Sequence, residues 1–147
     1  MAVYFTIAAV LLLFVIIFQI AKASEYVDIL KVNEQELEVL TGIADIREGA
    51  KILAAWGVKE VVVTLGSVGS VIYTGGVFCE IPVYKPADVV DATGCGDTYM
   101  AGYLARRIKG DDIEASGKFA SAMAALKIER SGPFEGTEED VREMMGR

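Results

Sequence analysis

The octapeptide Asp91-Ala92-Thr93-Gly94-Cys95-Gly96-Asp97-Thr98 joins an apolar pair, Val89-Val90, to a segment with apolar residues at Met100, Ala101, Leu104 and Ala105. That spacing is helical, so the expected local structure is a short strand, a glycine turn and a helix running to about Ile108. Two glycines allow a sharp bend that turns several backbone N–H groups to one side. Those groups lie at a helix start, where unpaired donors and the macrodipole favour an anion. Asp97 would project from the first helical turn beside them. A carboxylate there can accept a proton from an attacking hydroxyl while Gly94, Cys95 and Gly96 stabilise a transferring phosphoryl group through their N–H groups. A purely structural reading also holds at this level, because an acidic residue at a helix start complements the dipole without any ligand.

The segments on either side are α/β in character. Upstream, Val27 to Val32 reads as a buried strand. Asn33 and Glu36 follow at the spacing of a capping box, and Leu37, Leu40 and Ile43 continue an apolar stripe toward Gly42. A second helix is expected over Asp45 to Trp56, closed by Gly57. Val61-Val62-Val63 has the continuous β-branched character of a strand covered on both faces. Ser70–Tyr73 and Val77–Ile81 flank the turn Thr74-Gly75-Gly76 and read as a hairpin. Downstream, Asp111-Asp112 starts a long helix to about Glu129, Ser131-Gly132-Pro133 breaks it, and Thr137 with Asp140 opens a last short helix. The alternation of strands and helices predicts an α/β domain with a mostly parallel sheet.

Composition removes whole classes of chemistry. The 147 residues include no histidine, so Ser-His-Asp and Cys-His catalysis and His-ligated zinc are excluded. Cys79 and Cys95 are the only cysteines and form neither a CxxC pair nor a zinc knuckle. A helix N-terminus can activate a thiol, but Cys95 has no histidine to serve as base and reads as a small residue. With 14 Lys and Arg against 21 Asp and Glu, the net charge is −7, which disfavours nucleic acid as a partner. No GxxxxGK[ST] is present, and no GxGxxG follows a strand, so neither a Walker loop nor a Rossmann dinucleotide site is supported.

The octapeptide resembles the C-terminal signature of the ribokinase-like (phosphofructokinase-B type) carbohydrate kinases, whose usual form is D-T-x-G-A-G-D. This chain departs from it at Ala92 and Cys95, and neither change touches the backbone donors or the final carboxylate. Asn33-Glu34-Gln35-Glu36 resembles the family's N-x-x-E motif, and Thr64-Leu65-Gly66-Ser67-Val68-Gly69 resembles its T-x-G-x-x-G loop. Ala120 to Gly132 resembles the adenine-side helix and the loop behind it. The resemblance spans about residues 25–147, with the four motifs in the family's order. It implies the C-terminal part of a three-layer ribokinase-like sandwich and ATP-dependent phosphotransfer to a hydroxyl of a sugar or related small molecule. It further implies Asp97 as general base, with Gly94, Cys95 and Gly96 as the anion hole. Asn33 and Glu36 would orient Mg2+ through water, and Thr64, Gly66 and Gly69 would border ATP. In many members a monovalent cation, K+, sits behind the anion hole; here Asp91 and Thr93 occupy that loop. From the residues alone, the favoured reading of Asn33 and Glu36 is a helix cap with its reciprocal partner.

Residues 1–24 stand apart. Ala2 to Ala21 carries no charge, and only Thr6 and Gln19 are clearly polar. As a helix this span would be about 30 Å long, enough to cross a bilayer core. A buried segment, a signal peptide and a misassigned reading frame are the alternatives, although no Lys or Arg precedes the apolar run as a signal peptide requires. Lys22 and Lys31 on its C-terminal side would place the following region, residues 25–147, in the cytoplasm. Complete members of the family are much longer, and their N-terminal half supplies the lid and most sugar contacts. The resemblance therefore implies a partial kinase, its open sheet edge completed by a second copy or by a complementing N-terminal chain. The competing reading is a catalytically silent ATP-binding or interaction module, tethered to a membrane through residues 2–21.

Overall fold

The structure, a computed structural model, describes residues 15–146. Residues 15–24 are helical, and Ser24 Oγ donates to the Ile20 carbonyl at 2.8 Å. Among the described residues no helix is long and apolar enough to cross a membrane. The spanning helix expected over 2–21 falls mainly on residues 2–14, which lie outside the described residues.

Strand β1 (Ile29–Asn33) leads into helices α1 (Glu34–Thr41) and α2 (Ile46–Ala55), and the chain returns as β2 (Glu60–Thr64), parallel to β1. A 3-10 turn over Gly66–Val68 sends it back as β3 (Ser70–Thr74), and the Gly75-Gly76 turn, with φ of 55° and 85°, leads to β4 (Val77–Ile81). Both glycines have the positive φ that a tight two-residue hairpin requires. Helices α3 (Cys95–Ile108), α4 (Ile113–Ile128) and α5 (Glu138–Met145) follow.

The sheet order is β1-β2-β3-β4, with the β2–β3 and β3–β4 pairs antiparallel. The sheet is thus mixed rather than mostly parallel among the described strands. The reason is local: the two connections after β2 are tight turns, too short for the crossover that a parallel pair demands. No strand forms at Val89-Val90, where the side chains are 72% and 57% exposed. There the backbone docks onto the end of α4, with the Val90 and Asp91 N–H groups both donating to the Ile128 carbonyl.

The alternation of side chains along β2 divides the core. Val61 and Val63 face one side, packing with Val32, Leu37, Ala50 and Leu53 under α1 and α2. Val62 faces the other, with Ile72, Ile81, Tyr99, Tyr103 and Ala120 under α3 and α4. These are the three layers expected, helices on both faces of one sheet. A further cluster, with Phe119, Val141 and Met144, fastens α5 to α4. Across the bottom of the sheet, Arg107 near the end of α3 clamps Glu60 at the start of β2 through Nη2 at 2.5 Å and Nε at 3.2 Å. The Tyr103 hydroxyl donates to the same carboxylate at 2.8 Å. Burial pushes that carboxyl's pKa upward, but the guanidinium and the phenol outweigh it and hold Glu60 below its usual value.

Candidate functional site

Parallel strands β1 and β2 end side by side, Asn33 in register with Thr64. Crevices at the carboxyl ends of parallel strands are where open α/β sheets bind ligands. Here the crevice is a cleft of about 680 Å³, bordered by β1, β2, the 66–69 turn, the 83–92 loop, the start of α3 and one face of α4. Its lining includes Asn33, Thr64, Gly66, Gly69, Cys95 and Gly96, which three separate motifs contribute. Glu36, Asp91, Thr93, Gly94 and Asp97 lie outside this lining.

Asn33 and Glu36 form the capping box in full. The Glu36 N–H donates to Asn33 Oδ1 and the Asn33 N–H to Glu36 Oε2, both at 2.8 Å. Asn33 lines the cleft, while Glu36 is exposed on the first turn of α1. The Thr64 hydroxyl bridges back to the Val32 carbonyl at 3.4 Å. Gly69 has φ 120° and ψ −137°, and a Cβ placed there would stand 2.2 Å from the Ile81 carbonyl oxygen. Only glycine lets the turn approach β4 so closely.

At the octapeptide, Gly94 takes the left-handed conformation (φ 76°, ψ 2°) as N-cap of α3. The Cys95 N–H closes the turn onto the Ala92 carbonyl at 3.2 Å, and the Thr98 N–H begins the helix on the Gly94 carbonyl at 2.9 Å. Among the described residues no acceptor takes the N–H of Gly94, Gly96 or Asp97. The free donors therefore include Asp97 itself, while that of Cys95 is engaged by the turn. Asp97 is exposed on the first turn of α3, and its carboxylate has no ion pair or hydrogen bond among the described residues. Burial pushes the Cys95 thiol pKa up, which suits a small packing residue and not a nucleophile. Behind it, the Tyr99 hydroxyl shares a buried 2.7 Å hydrogen bond with Ser70, and desolvation lifts the phenol pKa to about 12.

Lys31 is a cleft residue that the sequence reading treated only as a flanking charge. Its Nζ lies 3.2 Å from the point where a Cβ on Gly96 would be. It makes no ion pair among the described residues. An unpaired ammonium beside the positive end of a helix is unfavourable on its own and attracts an anion into the gap. The signal was legible in principle, since Lys31 lies two positions before Asn33 and so shares its face of the strand.

Another part of the cleft lining is apolar, with Val83, Tyr84, Val89, Ala125 and Ile128. The cleft thus combines a backbone donor and an ammonium with an apolar surface suited to a flat, weakly polar group. No group of three or more His, Cys, Asp or Glu side chains comes together among the described residues. The described residues thus offer no full inner sphere for a divalent metal. One Glu36 oxygen remains for a metal held chiefly by phosphate and water, the usual state of Mg2+.

Comparisons with known proteins point the same way. The sequence profile described as "pfkB family carbohydrate kinase" matches residues 16–140. The chain is 41% identical over 110 residues to a cytidine kinase of Thermococcus kodakarensis, covering 74% of this chain and 39% of that protein. It is 45% identical over 75 residues to a nucleoside kinase of Methanocaldococcus jannaschii, covering 51% of this chain and 25% of that one. Among solved structures, Arabidopsis thaliana ribokinase complexed with ribose and ATP superposes with a TM-score of 0.79 at 31% identity, over 85% of this chain and 43% of that one. The chain therefore spans well under half the length of these relatives.

Proposed function

The chain belongs to the pfkB family of carbohydrate kinases, and from that premise we propose that residues 25–147 form the ATP-binding and proton-accepting part of a kinase acting on a hydroxyl of a sugar or nucleoside. One observation carries the reading: the Gly96 N–H and the Lys31 ammonium, both without a partner among the described residues, meet in a cleft that also has an apolar wall, and Asp97 follows on the same first turn of α3. Phosphates suit the donor and the ammonium, and an adenine the apolar wall.

In this reading the terminal phosphate lies against the start of α3. The acceptor hydroxyl gives its proton to Asp97 as its oxygen bonds to the terminal phosphorus, and the bond to the ADP oxygen breaks. Charge on the transferring group falls on the N–H groups of Gly94, Gly96 and Asp97 and on Lys31, which need no reorganisation to receive it. Asn33 and Thr64 hold the cleft floor, and Gly66 and Gly69 let the backbone border the nucleotide closely. Mg2+ accompanying ATP would neutralise phosphate charge, with Glu36 acting through water. Contacts to the acceptor beyond Asp97 would come from polypeptide other than residues 25–147, such as a complementing chain, and dependence on ATP favours the cytoplasm for this region.

The test is calorimetric titration of ATP into the full chain, followed by labelled-phosphate transfer to ribose, fructose and cytidine, with Asp97→Asn as control. Binding that survives in Asp97→Asn while transfer is lost supports the assignment. Equal transfer by both proteins refutes Asp97 as base. Binding without any transfer by the wild type favours the silent ATP-binding module instead.

A further inference from the structure

The cation site expected at Asp91 and Thr93 is already filled by a side chain. Lys127, in the last turn of α4, is 2% exposed at its side chain. Its Nζ donates to the Asp91 carbonyl at 3.0 Å and to the Arg130 carbonyl at 3.2 Å, and lies 3.5 Å from Asp91 Oδ2. An ammonium has three hydrogens, and three oxygens surround this one. The same carboxylate accepts the Thr93 N–H at 2.9 Å through its other oxygen.

Two backbone carbonyls and a carboxylate are the oxygens an alkali cation would use. That ion and the ammonium cannot share one space, and two like charges a few ångströms apart repel strongly at a buried site. The residues present do not fit K+. We propose that Lys127 is a tethered cation that replaces the monovalent metal ion, joining Asp91 to the loop after α4 and holding the 91–96 turn in place without K+. Lys127 is a positioning residue in this role, because it touches the turn and not the cleft. Its consequence for phosphoryl transfer rests on the function proposed above, whereas the replacement of the metal rests on geometry alone. The experiment therefore reads the fold rather than turnover.

Thermal unfolding of the full chain is followed in KCl and in choline chloride at equal ionic strength, with hydrogen exchange reporting on amides 91–96. The wild type is expected to show the same midpoint and the same protection in both salts. Lys127→Ala, which vacates the site, is expected to melt roughly 5–10 °C lower in choline and to recover at least half of that loss in K+ or NH4+. Lys127→Met fills the volume without charge and is expected to melt lower in both salts with no recovery. A wild-type midpoint or turn protection that rises with K+ overturns the proposal, as does a Lys127→Met protein that melts like the wild type. Should Lys127→Ala fail to fold in either salt, the wild-type and Lys127→Met measurements still decide. Failure to bind ATP with this salt pattern intact would sink the kinase reading and leave the tethered cation standing.

Discussion

Replacing Lys31 by Met should make the protein bind phosphate worse and fold no worse, and the opposite signs make the prediction sharp. The ammonium lies 3.2 Å from the Cβ point of Gly96, so a phosphate oxygen held by the Gly96 or Asp97 N–H at about 2.9 Å would stand within about 4–5 Å of it. A unit charge pair at about 4 Å is worth some 4 kcal/mol at an effective dielectric of 20, which desolvation and side-chain ordering reduce to the ~1.5–3 kcal/mol of a charge-assisted hydrogen bond. That range corresponds to roughly 10- to 150-fold weaker binding. On the fold, Lys31→Met removes an unpaired cation beside the positive end of α3, a change worth about 0.3–1 kcal/mol in favour of the folded state. Gly96→Ala probes the same geometry from the other side. A methyl there displaces only the end of a flexible side chain, so the expected loss is about three- to tenfold, with stability unchanged or slightly raised by helix propensity. The assay is calorimetry with ATP and with tripolyphosphate, at low and at physiological salt, alongside thermal melts. Tripolyphosphate has no base, so a matching loss for both ligands assigns the effect to the phosphate end. Wild-type affinity of Lys31→Met for tripolyphosphate, or a clearly lower melting point, would refute the reasoning.

Asp97→Asn should lower phosphotransfer by roughly 10²- to 10⁴-fold, the usual worth of a positioned base, while the fold loses only the carboxylate's interaction with the helix dipole, about 0.3–1 kcal/mol, because the group is exposed and has no partner among the described residues. Gly69→Ala should destabilise the fold by about 3–5 kcal/mol in denaturant titration, combining a glycine-only backbone region with a 2.2 Å approach to the Ile81 carbonyl. Acid should weaken the fold through Glu60, whose folded pKa is depressed. Its contribution is present above the unfolded value near ~4.3 and is lost as pH falls through the folded value, so melts of Glu60→Gln below pH ~4 should show a flatter acid limb. Tyr99 acts at the other end, with its folded pKa raised to about 12. Stability from the neutral phenol is complete below the unfolded value near ~10 and is lost as pH rises through the folded one, so Tyr99→Phe should shallow the alkaline limb.

Local rules carried the sequence reading a long way. The capping box at Asn33 and Glu36, the Gly75-Gly76 hairpin and the helix bounds of α2, α3 and α4 follow from side-chain chemistry within a few residues, and the structure places them within a residue or two. Val89-Val90 shows where such rules stop. A β-branched pair before a glycine turn has strand propensity, but the Ile128 carbonyl at the end of α4 already takes the N–H groups of Val90 and Asp91, and no neighbouring strand does. The sheet's mixed pairing likewise depended on the length of two connections more than on the apolar character of the strands. The cleft itself was legible as three glycine-bearing or polar motifs, yet only the parallel register of Asn33 with Thr64 brings them to one edge.

What sequence reasoning missed is cationic. Lys31 and Lys127 lie far apart in the chain; the first shares the strand face of Asn33 and the second falls within the stretch Ala120 to Gly132, but no motif position the sequence reading used is a lysine, so neither stood out from the other basic residues of an acidic protein. Their roles arise from burial and from the lack of competing charge. Lys127 is 2% exposed and saturated by oxygens of the turn, while Lys31 is half-buried with no ion pair among the described residues. The first charge is engaged by the protein's own oxygens, and the second is the one the proposed function assigns to a ligand. A chain of net charge −7 repels polyanions at long range, so any phosphate it binds must be drawn by fields that act within a Debye length of about 8 Å. One ammonium and a few oriented N–H groups, set in a cleft with an apolar wall, supply such a short-range field, and under the proposed function they would favour a small phosphate ester over nucleic acid.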